Sequence, residues 1–226
     1  MKILITSGGT DVPIDDVRKI SNFSSGRYAA NLAREFLKFK QTQVYFLMAK
    51  GSMHPLEIVP KGYYNFDFHG LYENIYKDYF DYKEKVVELT KAIQPDIVIS
   101  AAAVSDYIVD KTAGKISSDE EEITLVLKKA PEILPLISEV LPNTSTLVGF
   151  KLMVSPTWEE KEKAILKVLN TADMVVYNDL TKLREGNASR HTYYSDFYSG
   201  NLTSREKETA LALAESIVSF HEALHF

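Results

Sequence analysis

The sequence contains no cysteine. A disulfide framework, a thiolate metal site and a thiol nucleophile are excluded, and a cytoplasmic setting is the expectation. Long apolar runs are missing too. None approaches the length of a membrane helix, and no basic-then-apolar leader precedes the first apolar run, so no membrane partner is expected. The formal net charge is −5, without a dense basic cluster carrying interleaved aromatics, which argues against nucleic acid. The five histidines are not read as a metal-ligand set, His221 near the C-terminus is read as part of a solvated helix end, and neither a Ser-His-Asp order nor paired metal carboxylates stand out. No metal site built from side chains is expected. What remains, 45% hydrophobic and 25% charged over 226 residues, is the composition of a globular chain, read as one α/β domain over residues 1–226.

The most informative segment runs from Lys2 to Arg27. Ile3, Leu4, Ile5 and Thr6 form an apolar, partly β-branched run that ends in Ser7-Gly8-Gly9-Thr10, as a strand opening into a polar loop would. A second loop, Ser21 to Gly26, leads straight into a helical pattern. Glycine lets backbone N–H groups approach an anion closely, and a helix N-terminus adds free donors and a positive dipole end. Two such loops suggest a substrate with phosphate at both ends. An ordinary βα turn and an ordinary helix cap are the plainer alternatives.

Further along, apolar runs alternate with helical patterns. Strands are expected over Lys2–Thr6, Gln43–Met48, Asp96–Ser100, Ile123–Leu127, Thr146–Phe150 and Met174–Tyr177. Helices are expected over Arg27–Phe39, Tyr72–Ile93, Pro131–Val140, Thr157–Asn170 and Ser204–Leu224, the last with Thr203 and Glu206 as a capping box. His191–Phe197 reads as a late strand or hairpin, and Thr112–Glu122 as a mobile loop. The fold class is therefore α/β: a three-layer, Rossmann-like, mostly parallel sheet with helices on both faces. Ligands of such sheets bind beyond the carboxyl ends of the strands. Ser7–Thr10, Ala101–Asp106, Lys151 and Asn178 all follow strands at that edge.

Ser7–Thr10, Ile20–Arg27, Ala101–Tyr107, Gly114–Ser118, Val148–Phe150 and Val175–Asn178 together resemble the phosphopantothenoylcysteine synthetase family, in family order. The resemblance implies a ligase of coenzyme A biosynthesis in a stand-alone form, with 4′-phosphopantothenate, cysteine and CTP or ATP as reactants. CTP is favoured because most bacterial relatives use it. Mg²⁺ would be held mainly by nucleotide phosphates, no flavin is expected, and a homodimer is expected. A flavoprotein label would come from the decarboxylase to which the family is often fused. In the implied site Asn22 holds the acyl intermediate and Lys115 neutralises the triphosphate. Arg18, Ser24, Ser25 and Gly26 take the phosphate of phosphopantothenate. Ser7, Gly8, Gly9, Thr10, Ala101, Ala102, Asp106, Ala130, Pro131, Phe150, Lys163 and Lys167 face the nucleotide, with backbone amides near Ala130 and Pro131 reading the base.

The chain departs from the family at one point. Lys163 and Lys167 have the family's i, i+4 spacing, but Leu166 and Asn170 stand where those lysines align. Plainer roles compete elsewhere: Arg18 as the ion-pair partner of Asp15 or Asp16, Asn22 as a helix-entry cap, and Phe150 as core. Two other functions are weighed. An NAD(P)-binding oxidoreductase lacks support, because Ser7–Thr10 is not G-x-G-x-x-G and Glu57 is the wrong acid in the wrong context. A non-catalytic nucleotide-binding subunit would have no reason to keep both Asn22 and Lys115.

Overall fold

The computed structural model describes residues 1–58, 70–119, 121–185, 190–195, 202–207 and 209–225. Its first strand, β1 (Lys2–Ser7), is buried on both faces, as its unbroken apolar run requires. A small hairpin follows, β2 (Asp11–Pro13) with β3 (Lys19–Ser21), and then α1 (Arg27–Phe36). Next come β4 (Gln43–Ala49), a 3₁₀ turn at Pro55–Ile58, β5 (Leu71–Tyr76) and α2 (Tyr79–Ile93). The chain continues through β6 (Ile97–Ser100), β7 (Tyr107–Ile108), β8 (Lys128–Lys129) and α3 (Ile133–Ser138). It ends with β9 (Thr146–Met153), α4 (Trp158–Leu169), β10 (Met174–Asp179), α5 (Leu180–Arg184), β11 (Arg190–Ser195), β12 (Leu202–Lys207) and α6 (Ala210–His225).

The main sheet has the order β12-β11-β10-β9-β6-β1-β4-β5. The six strands from β10 to β5 pair in parallel, and β11 and β12 add an antiparallel margin. Among the parallel strands this is the doubly wound order, whose direction reverses between β1 and β6. One core layer packs α1 and α6 on Ile3, Ile5, Val44, Phe46, Val148 and Val176. The opposite layer packs α2 and α3 on Leu4, Leu47, Val98 and Leu147, with α4 closing over Val175. The expected three-layer architecture is present.

Several expected elements differ. The aromatic run from Tyr72 is not one helix. Residues 71–76 pair with β4 as an edge strand, and Asp78, whose side chain accepts from the Asp81 N–H at 3.0 Å, starts a separate helix. Ile123–Leu127 forms no strand, and Ile123, Val126 and Leu127 are exposed with no layer to cover them. The pairing there is between β7 and β8. Residues 202–207, including Thr203 and Glu206, lie in β12, and α6 is capped instead by Thr209, whose hydroxyl accepts the Ala212 N–H at 3.1 Å. Of His191–Phe197, residues 191–195 form the expected strand, and Asp196 and Phe197 lie outside the described residues, as do residues 59–69.

Two further expectations change. The segment at the start of Thr112–Glu122 is tied down rather than loose: Thr112 N–H donates to Ile14, Gly114 N–H to Asp16 Oδ2 and Ile116 N–H to Asp15 Oδ2. His221 is buried, not part of a solvated helix end. Its Nδ1 lies 2.9 Å from Thr146 Oγ1, and its ring lies 5.0 Å from that of His225, one turn away. Burial, then His225, pushes its pKa down. Among the described residues no group of three or more His, Asp or Glu could hold a metal, and no helix is long and apolar enough to cross a membrane.

Candidate active site

The winding order of the sheet reverses between the parallel neighbours β1 and β6, so the connections leaving these strands part to opposite faces and open a crevice. A cleft of ≈ 1210 Å³ occupies it. Its walls come from the loop entering α1, the loop after β6, the turn before α3, the end of β9, one side of α4 and Asn178 at the end of β10. Of the residues expected there, Asn22, Ser24, Ser25, Gly26, Ala101, Ala102, Asp106, Ala130, Pro131, Phe150 and Lys167 line it.

Ser7, Gly8, Gly9 and Thr10 do not line it and are spent on holding the wall together. Ser7 Oγ donates to the Gly26 carbonyl at 3.3 Å. Gly8 C=O accepts from Ala103 N–H at 2.8 Å, and Thr10 N–H donates to Ala103 C=O at 3.0 Å. Thr10 Oγ1 accepts from Ser105 N–H at 2.9 Å. The loop thus braces β1 against the loop after β6, and the anion site expected in it is not part of the cleft lining. Gly9 is required by close approach, since a Cβ there would lie 2.2 Å from the Asn22 carbonyl oxygen. We expect Gly9→Ala to displace Asn22 and to cost about 1–3 kcal/mol of stability. Thermal unfolding together with turnover of the folded fraction checks this.

Asn22 follows β3 and is half-buried, with Nδ2 donating to Ala103 C=O at 3.1 Å. That bond orients the carboxamide and leaves it a second N–H and its oxygen. Ser24, Ser25 and Gly26 form the N-terminal entry of α1. Gly26, at the N-cap, adopts φ 73° and has no side chain to cap the helix, while the Arg27 N–H donates to Ser25 Oγ at 3.4 Å. Free N–H donors, hydroxyls and the positive helix end therefore converge on the cleft.

Arg18 takes its plainer role. Its Nε and Nη2 grip Asp15 Oδ2 at 2.9 and 2.7 Å, and Nη2 also donates to Ile116 C=O at 2.7 Å. Burial pushes the Asp15 carboxyl up, but Arg18 and the N–H groups of Val17, Ile116 and Arg18 outweigh it and hold it well below the usual carboxylate range. Lys111 pairs with Asp16 at 2.5 Å. These contacts join residues 14–18 to 111–116 as one arm. Lys115 rides on that arm, exposed, outside the cleft of its own chain.

On the far wall, Phe150 is half-buried with its ring 6.1 Å from that of Tyr28. The Ala130 N–H does not point into the cleft as a base reader: it donates to the Asp106 carbonyl at 2.8 Å, and Pro131 has no N–H. Lys167 lines the cleft and pairs with Glu132 at 2.7 Å, whereas Lys163 lies one turn off it and is exposed. Leu166 and Asn170 are not on the wall either. The ion pair lowers the Glu132 pKa and raises that of Lys167.

Sequence reasoning missed Lys129, Glu132 and Tyr28, and named Lys151 and Asn178 only as edge positions. The sequence neighbours of Ala130 and Phe150 were the available signal. Asn178 is 8% exposed, and its Oδ1 is buried without a hydrogen-bond partner. Such an atom facing a cleft is satisfied by a ligand donor. We expect Asn178→Ala to weaken nucleotide binding about tenfold, the worth of one buried hydrogen bond. Isothermal titration of the nucleotide checks this.

The comparisons with known proteins agree with this geometry. A model of the DNA/pantothenate metabolism flavoprotein C-terminal domain matches residues 1–59 and 81–221. The coenzyme A biosynthesis bifunctional protein CoaBC of Methanocaldococcus jannaschii is 31% identical over 219 residues, 96% of this chain and 50% of that protein. Its namesake from Thermococcus kodakarensis is 31% identical over 188 residues, covering 79% and 41%. The chain thus spans about half the length of the curated relatives it matches. The DNA/pantothenate metabolism flavoprotein of Streptococcus pneumoniae has a crystal structure that matches with TM-score 0.77 at 26% identity, covering 100% of both chains. A Cab2 mutant in complex with phosphopantothenate-cysteine shares the fold, with TM-score 0.76 at 20% identity over 98% of this chain and 86% of that one. The family model covers most of the elements that build the cleft, and the chain belongs to the family of the DNA/pantothenate metabolism flavoprotein C-terminal domain.

Proposed function

We propose that this chain joins 4′-phosphopantothenate to cysteine through an acyl-nucleotidylate. The observation that carries this reading is that one cleft gathers Asn22, the uncapped α1 entry at Ser24–Gly26, and a nucleotide-sized side bounded by Ala101, Ala102, Asp106, Phe150 and Lys167. The α1 entry takes the terminal phosphate of phosphopantothenate. A carboxylate oxygen of that substrate attacks the α-phosphorus of the nucleoside triphosphate, and pyrophosphate leaves. The cysteine amine then attacks the acyl carbon, and the nucleoside monophosphate departs with the former carboxylate oxygen. Asn22, held by Ala103, donates to the acyl oxygen without adding charge. Lys129, Lys151 and Lys167 supply positive charge where phosphate oxygens crowd. Where Mg²⁺ accompanies the triphosphate, Asp106 would be the exposed cleft carboxylate to help hold it, and the ion would supply charge neutralisation of the phosphates. Amide ligation transfers no electrons, so the reaction calls for no flavin. CTP is the expected nucleotide and ATP the alternative.

The oxidoreductase reading is disfavoured by the same loops. Gly8 and Gly9 are packed into the wall rather than open to a pyrophosphate, and β4 ends at Ala49, followed by Lys50, without an acid for a ribose. Assembly follows from Lys115. It lies outside its own cleft, Val17 on its arm is an exposed apolar residue, and Phe23 at the cleft and Ile123, Val126 and Leu127 further along the chain are exposed apolar residues too. A homodimer that covers them would bring Lys115 to the partner's triphosphate. Incubation of the chain with phosphopantothenate, cysteine and Mg-CTP, followed by mass detection of the amide, tests the reading. Amide formed in amounts matching nucleotide consumed supports it, and nucleotide consumed without amide contradicts it.

A further inference from the structure

Three tyrosines sit fully buried where phenylalanine would fill the same space. Tyr76 ends β5, and Tyr79 and Tyr82 occupy the first turn of α2; all are 0% exposed. A buried phenol needs an acceptor for its hydroxyl or loses hydration without return. Each of these finds one on β1 or on a segment that walls the cleft. Tyr79 Oη donates to the Pro131 carbonyl at 2.8 Å. Tyr82 Oη donates to Thr6 Oγ1 at 3.2 Å, and the same oxygen accepts the Ala102 N–H at 3.2 Å. Tyr76 Oη donates to the Ser7 carbonyl at 2.8 Å, behind the wall.

We propose that Tyr79 and Tyr82 are positioning residues that set the two cleft walls from behind the sheet. Tyr79 fixes the Ala130–Glu132 turn. Tyr82 fixes Ala102 through Thr6. The walls are also joined to each other by Ala130 N–H on the Asp106 carbonyl, so the turn is held from both sides. Pro131 leaves the turn one backbone donor short, which makes the Tyr79 bond a larger share of what orients it. That these walls receive a nucleotide rests on the ligase reading. The Tyr76 bond ends on Ser7, whose side chain braces Gly26 on the phosphopantothenate side, so this residue is an internal control of equal burial for the nucleotide side.

The test uses Tyr79→Phe, Tyr82→Phe and Tyr76→Phe in the full chain, each keeping the ring and losing one hydroxyl. Mg-CTP and Mg-ATP are titrated calorimetrically, and KM and kcat are measured for each substrate. Tyr79→Phe and Tyr82→Phe are expected to raise the nucleotide Kd and KM about fivefold to tenfold while leaving the phosphopantothenate KM unchanged. Tyr76→Phe is expected to lower Tm by a similar amount to the others without moving the nucleotide Kd or KM. Three variants that lose Tm alike with unaltered nucleotide Kd and KM would overturn the inference. A parent chain that binds neither nucleotide would overturn the ligase reading, and this inference with it.

Discussion

Replacing Lys115 with alanine is expected to slow pyrophosphate release about a hundredfold while leaving the fold intact. One positioned cation on a triphosphate is worth roughly 3 kcal/mol of barrier. Lys115 is exposed, and its arm is held by backbone and Asp15–Arg18 contacts that do not involve its side chain, so its removal has no structural cost to hide behind. Rapid-quench measurement of pyrophosphate with unchanged thermal unfolding checks the outcome. Near-normal release would remove Lys115 from the chemistry. The Asp15 carboxyl is held below its ordinary range, so its contribution to the arm is present above the unfolded carboxylate pKa of about 4 and is lost only as pH falls through its lower folded value. Neutral-pH assays therefore compare variants with the arm in place.

The second large effect is recovery rather than loss. Asn22 lines the cleft and Lys115 does not, so in the proposed homodimer each site takes these residues from different chains. Mixing Asn22→Ala with Lys115→Ala chains, each nearly inactive, should yield mixed dimers with one doubly lesioned site and one intact site. Such a dimer should regain up to about half of normal activity after subunit exchange. Verified exchange without recovery would assign both residues to one chain's site, and a monomer by light scattering would dispose of the arrangement.

The parallel core was legible because β1, β4, β6, β9 and β10 are buried on both faces and read as continuous apolar runs. β5 was not legible. Its residues are exposed or half-buried along the sheet edge until Tyr76, and the tyrosines that continue into α2 blur the change of period. The Asp78 cap was the local sign of that break. Ile123–Leu127 carries β-branched and apolar residues, but only Leu125 packs on the core while Ile123, Val126 and Leu127 are exposed, so propensity alone misled. Within the site, the loop at α1 and the Ala101–Asp106 wall could be read from motifs. The role of Ser7–Thr10 could not, because its glycines serve wall-to-wall packing, visible only once Asn22 and Ala103 are brought beside them. Asn178 and the buried tyrosines are recognisable only by what their polar atoms meet in three dimensions.

The central claim is that phosphopantothenate is activated by nucleotidyl transfer to its carboxylate. It is tested most directly by following oxygen. With ¹⁸O in both carboxylate positions of phosphopantothenate, turnover with cysteine and Mg-CTP should place one ¹⁸O in the phosphate of CMP and leave the other in the amide carbonyl. Pyrophosphate should stay unlabelled. Label in inorganic phosphate instead would mean attack on the terminal phosphorus, and unlabelled CMP would mean that no acyl-nucleotidylate forms.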